Sequence, residues 1–221
     1  MADTITITDN RTGKSYELEV TEDTIQSLAL RGIKVHDDDF GMMAYDPGFM
    51  NTAACRSSIT YLDGERGILQ YRGYPIEDLA ERSNHLESAY LLINGKLPNQ
   101  TELDEWSGEI MSHCMIHENA KNLMAGFRAD AHPMGVLVST IAAQSTFYPD
   151  AKGVNDPANR MRQIYRIIGK MPTIAAYSLR HRMGWPYIYP NSSLSYTGNF
   201  LHMLLKKPEQ PYESNKVYEK A

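Results

Sequence analysis

The chain has 221 residues and a mass of 25.0 kDa, 42% hydrophobic and 22% charged, with a net charge of −5. That balance supports one large domain or two small ones with a sizeable core, and it excludes disorder, collagen-like repeats and a disulfide scaffold. The acidic balance argues against a dedicated nucleic-acid or anionic-membrane binder, and two cysteines, Cys55 and Cys114, point to a reducing compartment. The opening residues lack the basic and apolar regions of a signal peptide. The run 134–148 is too short and too polar to cross a bilayer. The expectation is a soluble, cytoplasmic, globular protein.

Thr4-Ile5-Thr6-Ile7-Thr8 and Tyr16-Glu17-Leu18-Glu19-Val20 alternate with period two around the turn residues 9–13, which predicts a hairpin. A second hairpin is expected from 58–62 and 68–71, and Asp46-Pro47-Gly48-Phe49 is a tight-turn tetrapeptide. The pattern then turns helical. Asn84 with Glu87, and Asn99 with Glu102, are capping boxes opening helices at His85 and after Asn99. Gly95 and Pro98 close the first of them. Further helices are predicted near 116–128, 134–148, 156–169, 173–183 and 194–205, with Pro133, Pro149, Pro172 and Pro186 as punctuation. The organisation is a β-rich head over 1–70 and a helical body over 71–221. Ser214 or Asn215 opens a last helix that is short at Ala221, so the chain is expected to be cut inside a helix.

Common catalytic templates are absent: no G-x-S-x-G, Walker loop, G-x-G-x-x-G, C-x-x-C or H-E-x-x-H is present. His113 and His117 are four apart, which on one helical face is a metal-binding spacing, but a third ligand is not evident. The commoner reading is surface or satisfied buried histidines. Arg162, Arg166 and Lys170 form an i, i+4, i+8 stripe in which like charges repel. Such a stripe meets an anion or an acidic partner, or else is a solvated face. His132 before Pro133 is a general base or, more commonly, a helix cap. Cys114, among Met111, Met115 and Ile116, reads as buried rather than reactive, and 185–190 reads as an extended aromatic connector. An enzyme with its catalytic residues elsewhere, an anion or nucleotide module and a helical interaction domain all remain open on these patterns.

The runs Tyr45-Asp46-Pro47-Gly48-Phe49, 63–69 (DGERGIL), Arg72-Gly73-Tyr74-Pro75-Ile76, 91–95 (LLING), Met115-Ile116-His117-Glu118, His132-Pro133-Met134, 170–176 (KMPTIAA) and 194–201 (LSYTGNFL) resemble the type II citrate synthases of Gram-negative bacteria. The similarity runs nearly end to end and is weakest in the first forty residues. It implies a mainly α, multi-helical body preceded by a small β-rich domain. It also implies that this chain matches roughly the first half of a protein condensing acetyl-CoA with oxaloacetate to citrate and CoA, without a cofactor. In that family an Asp removes a proton from the acetyl methyl group, one His stabilises the enol and another polarises the oxaloacetate carbonyl. Those residues follow position 221, so no catalytic residue is assigned here and the 1–221 segment is expected to be inactive by itself. 2-Methylcitrate synthase is the enzyme alternative, and a stand-alone helical nucleotide module is the other.

The resemblance further implies a homodimer or homohexamer, and an allosteric NADH site to which His113, Met115, Tyr148, Arg166 and Lys170 correspond. Four positions depart from NADH-sensitive members: Ser112 replaces an arginine, Cys114 a threonine, Lys207 a threonine and Glu209 a reactive cysteine. The first removes a bidentate anion contact, and Glu209 adds negative charge near an anionic ligand.

Overall fold

Strict alternation in the first twenty residues builds an antiparallel pair, β1 (Thr4–Asp9) and β2 (Lys14–Thr21), in which Ile5 faces Leu18 and Ile7 faces Tyr16. In the computed structural model, residues 3–220 are described, and the chain divides into two units, Met1–Ser58 and Ile59–Ala221. In the first unit the turn after β1 is organised by Asp9. Its carbonyl accepts from Thr12 and Gly13, and its carboxylate accepts from the Arg11 backbone and guanidinium at 2.9–3.0 Å. The Arg11 contact holds the Asp9 carboxyl below the ordinary range. A short β3 (Thr24–Ile25) extends the sheet in the order β1-β2-β3, and a 3₁₀ turn over Ser27–Gly32 follows. Ile33 and Leu18 are its buried apolar residues. Gly41 is required: at φ +93° a Cβ there would stand 2.1 Å from the Arg31 carbonyl oxygen. The predicted turn at 46–49 forms, with Phe49 N–H donating to the Asp46 carbonyl at 3.2 Å.

The second unit opens with a three-stranded sheet, β4 (Thr60–Asp63), β5 (Ile68–Tyr71) and β6 (Tyr74–Pro75), and runs directly into α1 (Ile76–Arg82). The second hairpin therefore groups with the helices, so the division falls after Ser58 where the sequence placed it near residue 70. Continuity explains this: β6 leads into α1 without a loop, and Arg72 NH2 donates to the Leu92 carbonyl at 2.8 Å. α2 (His85–Asn94) and α3 (Gln100–Ser112) start at the two predicted capping boxes, both reciprocal, and Gly95 ends α2 in the left-handed region. α4 (Glu118–Ala125), α5 (Pro133–Gln144), α6 (Pro157–Met183), α7 (Tyr196–Leu205) and α8 (Lys216–Lys220) complete the body. The mainly helical class expected from sequence is what the chain adopts. Ala221, where the last helix was expected to be cut, lies outside the described residues. Among the described residues no helix is long and apolar enough to cross a membrane.

Two apolar clusters hold the helices. Leu86, Trp106 and Ile110 pack with Tyr165 and Ile168 of α6, and the Trp106 indole N–H donates to the Leu86 carbonyl at 3.0 Å. Ile116, Ala120, Met124 and Val136 pack on Ile174 and Tyr177 further along the same helix. The connector at 185–190 lies over this second cluster as expected, with Tyr187 stacked 4.5 Å from Tyr177.

The sequence predicted a break at Pro172, and the structure corrects it: α6 is one helix of 27 residues with Pro172 inside. Proline lacks the N–H that would bond the carbonyl four residues back, which orphans Ile168. The Tyr196 hydroxyl fills that vacancy, donating to the Ile168 carbonyl at 2.9 Å. Its ring stacks on His85 at 5.1 Å, and burial pushes its pKa up to about 12, so the phenol keeps its proton. Tyr196→Phe is expected to cost about 1–3 kcal/mol, the price of a buried unsatisfied carbonyl. In a Pro172→Ala background, where residue 172 regains its N–H, most of that cost should vanish. Urea unfolding of the four members of this double-mutant cycle measures the coupling, and additivity would refute the assignment.

Candidate functional site

Four of the five sequence-selected residues meet where α6 crosses the end of α3. The crossing is close because position 169 is glycine: a Cβ there would lie 2.4 Å from the Ile110 carbonyl oxygen and 3.2 Å from the His113 Cβ. One residue on, Lys170 is buried and donates from Nζ to the His113 carbonyl at 2.9 Å. A cation at the C-terminus of α3 is in the favourable position for the helix dipole. Thr173 adds a 2.6 Å bond to the Cys114 carbonyl. The loop between α5 and α6 then brings Tyr148 under the stripe, with the Arg166 guanidinium 4.2 Å and Lys170 Nζ 5.3 Å from the ring centre. Met115, on the turn after His113, is half-exposed. Ser112 donates to the Glu109 carbonyl, and Lys207 and Glu209 are exposed in the loop after α7.

The charge pattern was legible in part. Arg162, Arg166 and Lys170 do share one helix, but Asp150 sits against them. Its carboxylate accepts from Arg166 Nη1 at 2.7 Å and from Arg162 Nη1 at 3.3 Å. Arg166 beside it is the chief reason the Asp150 carboxyl lies below its ordinary range, with Arg162 adding to the effect. Arg166 Nε is buried and has no acceptor. The His113 pKa is lowered as well: burial first, then Lys170 and Arg166, disfavour its imidazolium, with Glu109 opposing. Sequence reasoning missed Asp150 because only tertiary structure carries that loop back across the helix.

The remaining titratable candidates resolve into structural roles. His113 and His117 do not share a helical face: His113 ends α3 and His117 begins α4, with a turn between them. The uniform helical spacing assumed for the pair is broken there. His117 Nδ1 accepts from Asn119 N–H at 3.1 Å, and its ring stacks on Phe147 at 4.7 Å. His132 caps α5 by accepting from Met134 N–H at 3.2 Å, the bracing role rather than a base. Among the described residues no group of three or more His, Cys, Asp or Glu is placed to hold a metal ion. Cys114 is buried, and burial raises its thiol pKa, which leaves it the neutral thiol. A cleft of about 470 Å³ beside α3 is lined by Glu102, Glu105 and Glu109 around Trp106 and Tyr165, and its charge opposes anions. The arrangement brings together two guanidiniums sharing the Asp150 carboxylate, a buried ammonium and an aromatic ring, groups of a kind that can recognise an anion.

Residues 48–221 match the family model described as "Citrate synthase, C-terminal domain". The chain belongs to the citrate synthase family. Its relatives include the peroxisomal citrate synthase of Dictyostelium discoideum, 55% identical over 97% of this chain and 45% of that protein. Also similar is the glyoxysomal citrate synthase of Cucurbita maxima, 46% identical over 96% of this chain and 43% of that protein. Among solved structures, citrate synthase from Pyrobaculum aerophilum superposes with a TM-score of 0.68 at 29% identity, covering 80% of this chain and 48% of that one. The citrate synthase from Thermotoga maritima gives 0.65 at 30% identity, covering 80% and 44%. The chain thus spans a little under half the length of the curated relatives it matches.

The electrostatics of the crossing make a titration prediction. Because the folded state depresses the His113 pKa, the unfolded chain binds that proton more readily, and stability from this group is present at neutral pH and lost as pH falls. NMR titration should place His113 below the ordinary imidazole value. Lys170→Met should move it upward, and an unmoved value would refute the cationic contribution.

Proposed function

We propose that the chain is the N-terminal part of a citrate synthase that condenses acetyl-CoA with oxaloacetate to give citrate and CoA. The observation that carries this reading is the match of residues 48–221 to the family model, supported by relatives at 46–55% identity that are named citrate synthase. Within the family we infer the type II affiliation from the runs at 45–49, 63–69 and 194–201, although the relatives named above are eukaryotic. The catalytic residues are taken to lie outside 1–221, this segment serving as scaffold and oligomer surface. No cofactor is part of the proposal.

The oligomer reading, a homodimer or homohexamer, is supported by α5. Its twelve residues carry no charge, and Met134 and Val138 stand exposed on its outer side. Nucleic-acid and membrane partners are not part of the reading, given the net charge of −5. The cytoplasm is the proposed compartment, on the evidence of two free cysteines, one of them exposed. The relatives named for peroxisome and glyoxysome mark the competing compartments.

We further propose that His113, Met115, Tyr148, Arg166 and Lys170 form an allosteric site for NADH. The shared geometry of four of them supports it, and guanidinium and ammonium groups suit the nucleotide pyrophosphate.

The whole protein carrying this chain is expected to release CoA from acetyl-CoA only when oxaloacetate is supplied, read as free thiol. Residues 1–221 by themselves should stay at background, and turnover by that segment would overturn the placement of the catalytic groups. A clear preference for propionyl-CoA would instead identify 2-methylcitrate synthase, and no thiol release from either thioester would refute the family activity for this protein.

A further inference from the structure

The cluster proposed to take an anionic nucleotide already holds an anion of its own. The Asp150 carboxylate bridges Arg166 and Arg162, lying where an incoming phosphate oxygen would have to sit. Its backbone is fixed: the Asp150 carbonyl accepts from Asn159 Nδ2 at 2.8 Å and from Gly153 N–H at 3.1 Å. Its side chain is held by the two arginines and its own backbone N–H and is 35% exposed, so rotation about its own side-chain bonds carries the carboxylate to water without moving the loop.

Arg166 is built to stay behind when that happens. It keeps the Tyr148 ring at 4.2 Å on one side, and Gln163 Oε1 accepts from its Nη1 at 3.3 Å. Gln163 is itself held by a 2.9 Å bond from its Nε2 to Asn159 Oδ1. The guanidinium is therefore positioned whether or not Asp150 is present, and only one of its nitrogens bonds the carboxylate. A phosphate group, with more acceptor oxygens and more charge, makes fuller use of a guanidinium than a carboxylate held through a single nitrogen. Charge points the same way. With Asp150 in place two guanidiniums face one carboxylate, and releasing it leaves both to a dianionic ligand.

We propose that Asp150 is an intramolecular latch on this site, a carboxylate that competes with the pyrophosphate of a dinucleotide for Arg166 and Arg162 and sets the threshold at which the ligand binds. This rests on the nucleotide reading of the same cluster. In population terms, the apparent dissociation constant exceeds the intrinsic one by the reciprocal of the fraction in which the latch is open.

NADH titrated into the whole chain, followed by its fluorescence, tests this. Asp150→Asn keeps the shape and removes the charge, and Asp150→Ala removes both, so their agreement separates competition from a local packing defect. Both are expected to bind NADH about fivefold more tightly than the unmodified chain, corresponding to a latch open about a fifth of the time. Arg166→Ala is expected to weaken binding at least about tenfold, and inorganic pyrophosphate should displace NADH from Asp150→Asn. Equal affinity in the unmodified chain and both Asp150 variants, with loss in Arg166→Ala, overturns the latch while the nucleotide site stands. Binding that survives Arg166→Ala or resists pyrophosphate overturns the competition at these cations. No NADH binding by any form overturns the latch and the nucleotide reading together.

Discussion

A single hydroxyl answers the carbonyl that Pro172 leaves open in the longest helix of the body. α6 supplies one wall of both apolar clusters, Tyr165 and Ile168 to the first and Ile174 and Tyr177 to the second. Pro172 lies between the two sets and would ordinarily end or kink a helix at a cost of about 3 kcal/mol. The Tyr196 hydroxyl restores the partner that Ile168 loses, and it arrives from α7, so the continuity of one helix depends on the docking of another.

The stripe itself shows how a chain tolerates like charges in one row. Lys170 is buried, and a buried ammonium is expensive unless its protons find acceptors. It finds the His113 carbonyl at the end of α3, where the helix leaves its carbonyls unpaired. Arg166 spreads its charge over Tyr148 and leans on Asp150, while Arg162 stays half in water and shares that carboxylate. Each cation is stabilised by a different device, so no single substitution removes the whole positive field. His113 resists protonation chiefly because it is buried, and Lys170 and Arg166 add to the effect.

Much of the fold was legible because its signals are local. Asn84 with Glu87 and Asn99 with Glu102 specify their own reciprocal bonds within four residues, and both boxes form. Alternation in β1 and β2 and the turn at 46–49 are local in the same sense. The misread features are those settled by distant partners. Pro172 signals a break unless Tyr196, 24 positions later, is known to answer it. The spacing of His113 and His117 signals one helical face unless the turn between α3 and α4 is known, and that turn is held by Lys170 and Thr173 from α6. Asp150 looks like one loop carboxylate among many until the fold lays it on Arg166. The positive half of the site is written as a helical period; the negative half exists only in three dimensions.

Arg180 extends the same logic to the far end of α6. It is among the most deeply buried side chains of the protein, and burial depresses its pKa, yet the pattern of its partners contains no carboxylate. Its guanidinium donates instead to the carbonyls of Met203, Lys206 and Pro186. Two of these belong to the end of α7, so the arginine caps that helix as Lys170 caps α3. Removing one partner of such a buried charged network costs about 3–5 kcal/mol, because the groups left behind are unsatisfied. Neutral carbonyls have an advantage over a counter-ion here: they cannot titrate, and salt cannot draw them away. The long helix grips its neighbours' carbonyls through Lys170, Thr173 and Arg180, whereas Arg162 and Arg166 are held by a carboxylate that can let go. What each cation bonds therefore sets how it can answer a ligand: Arg162 and Arg166 by exchanging a carboxylate, Lys170 only from its place at the end of α3.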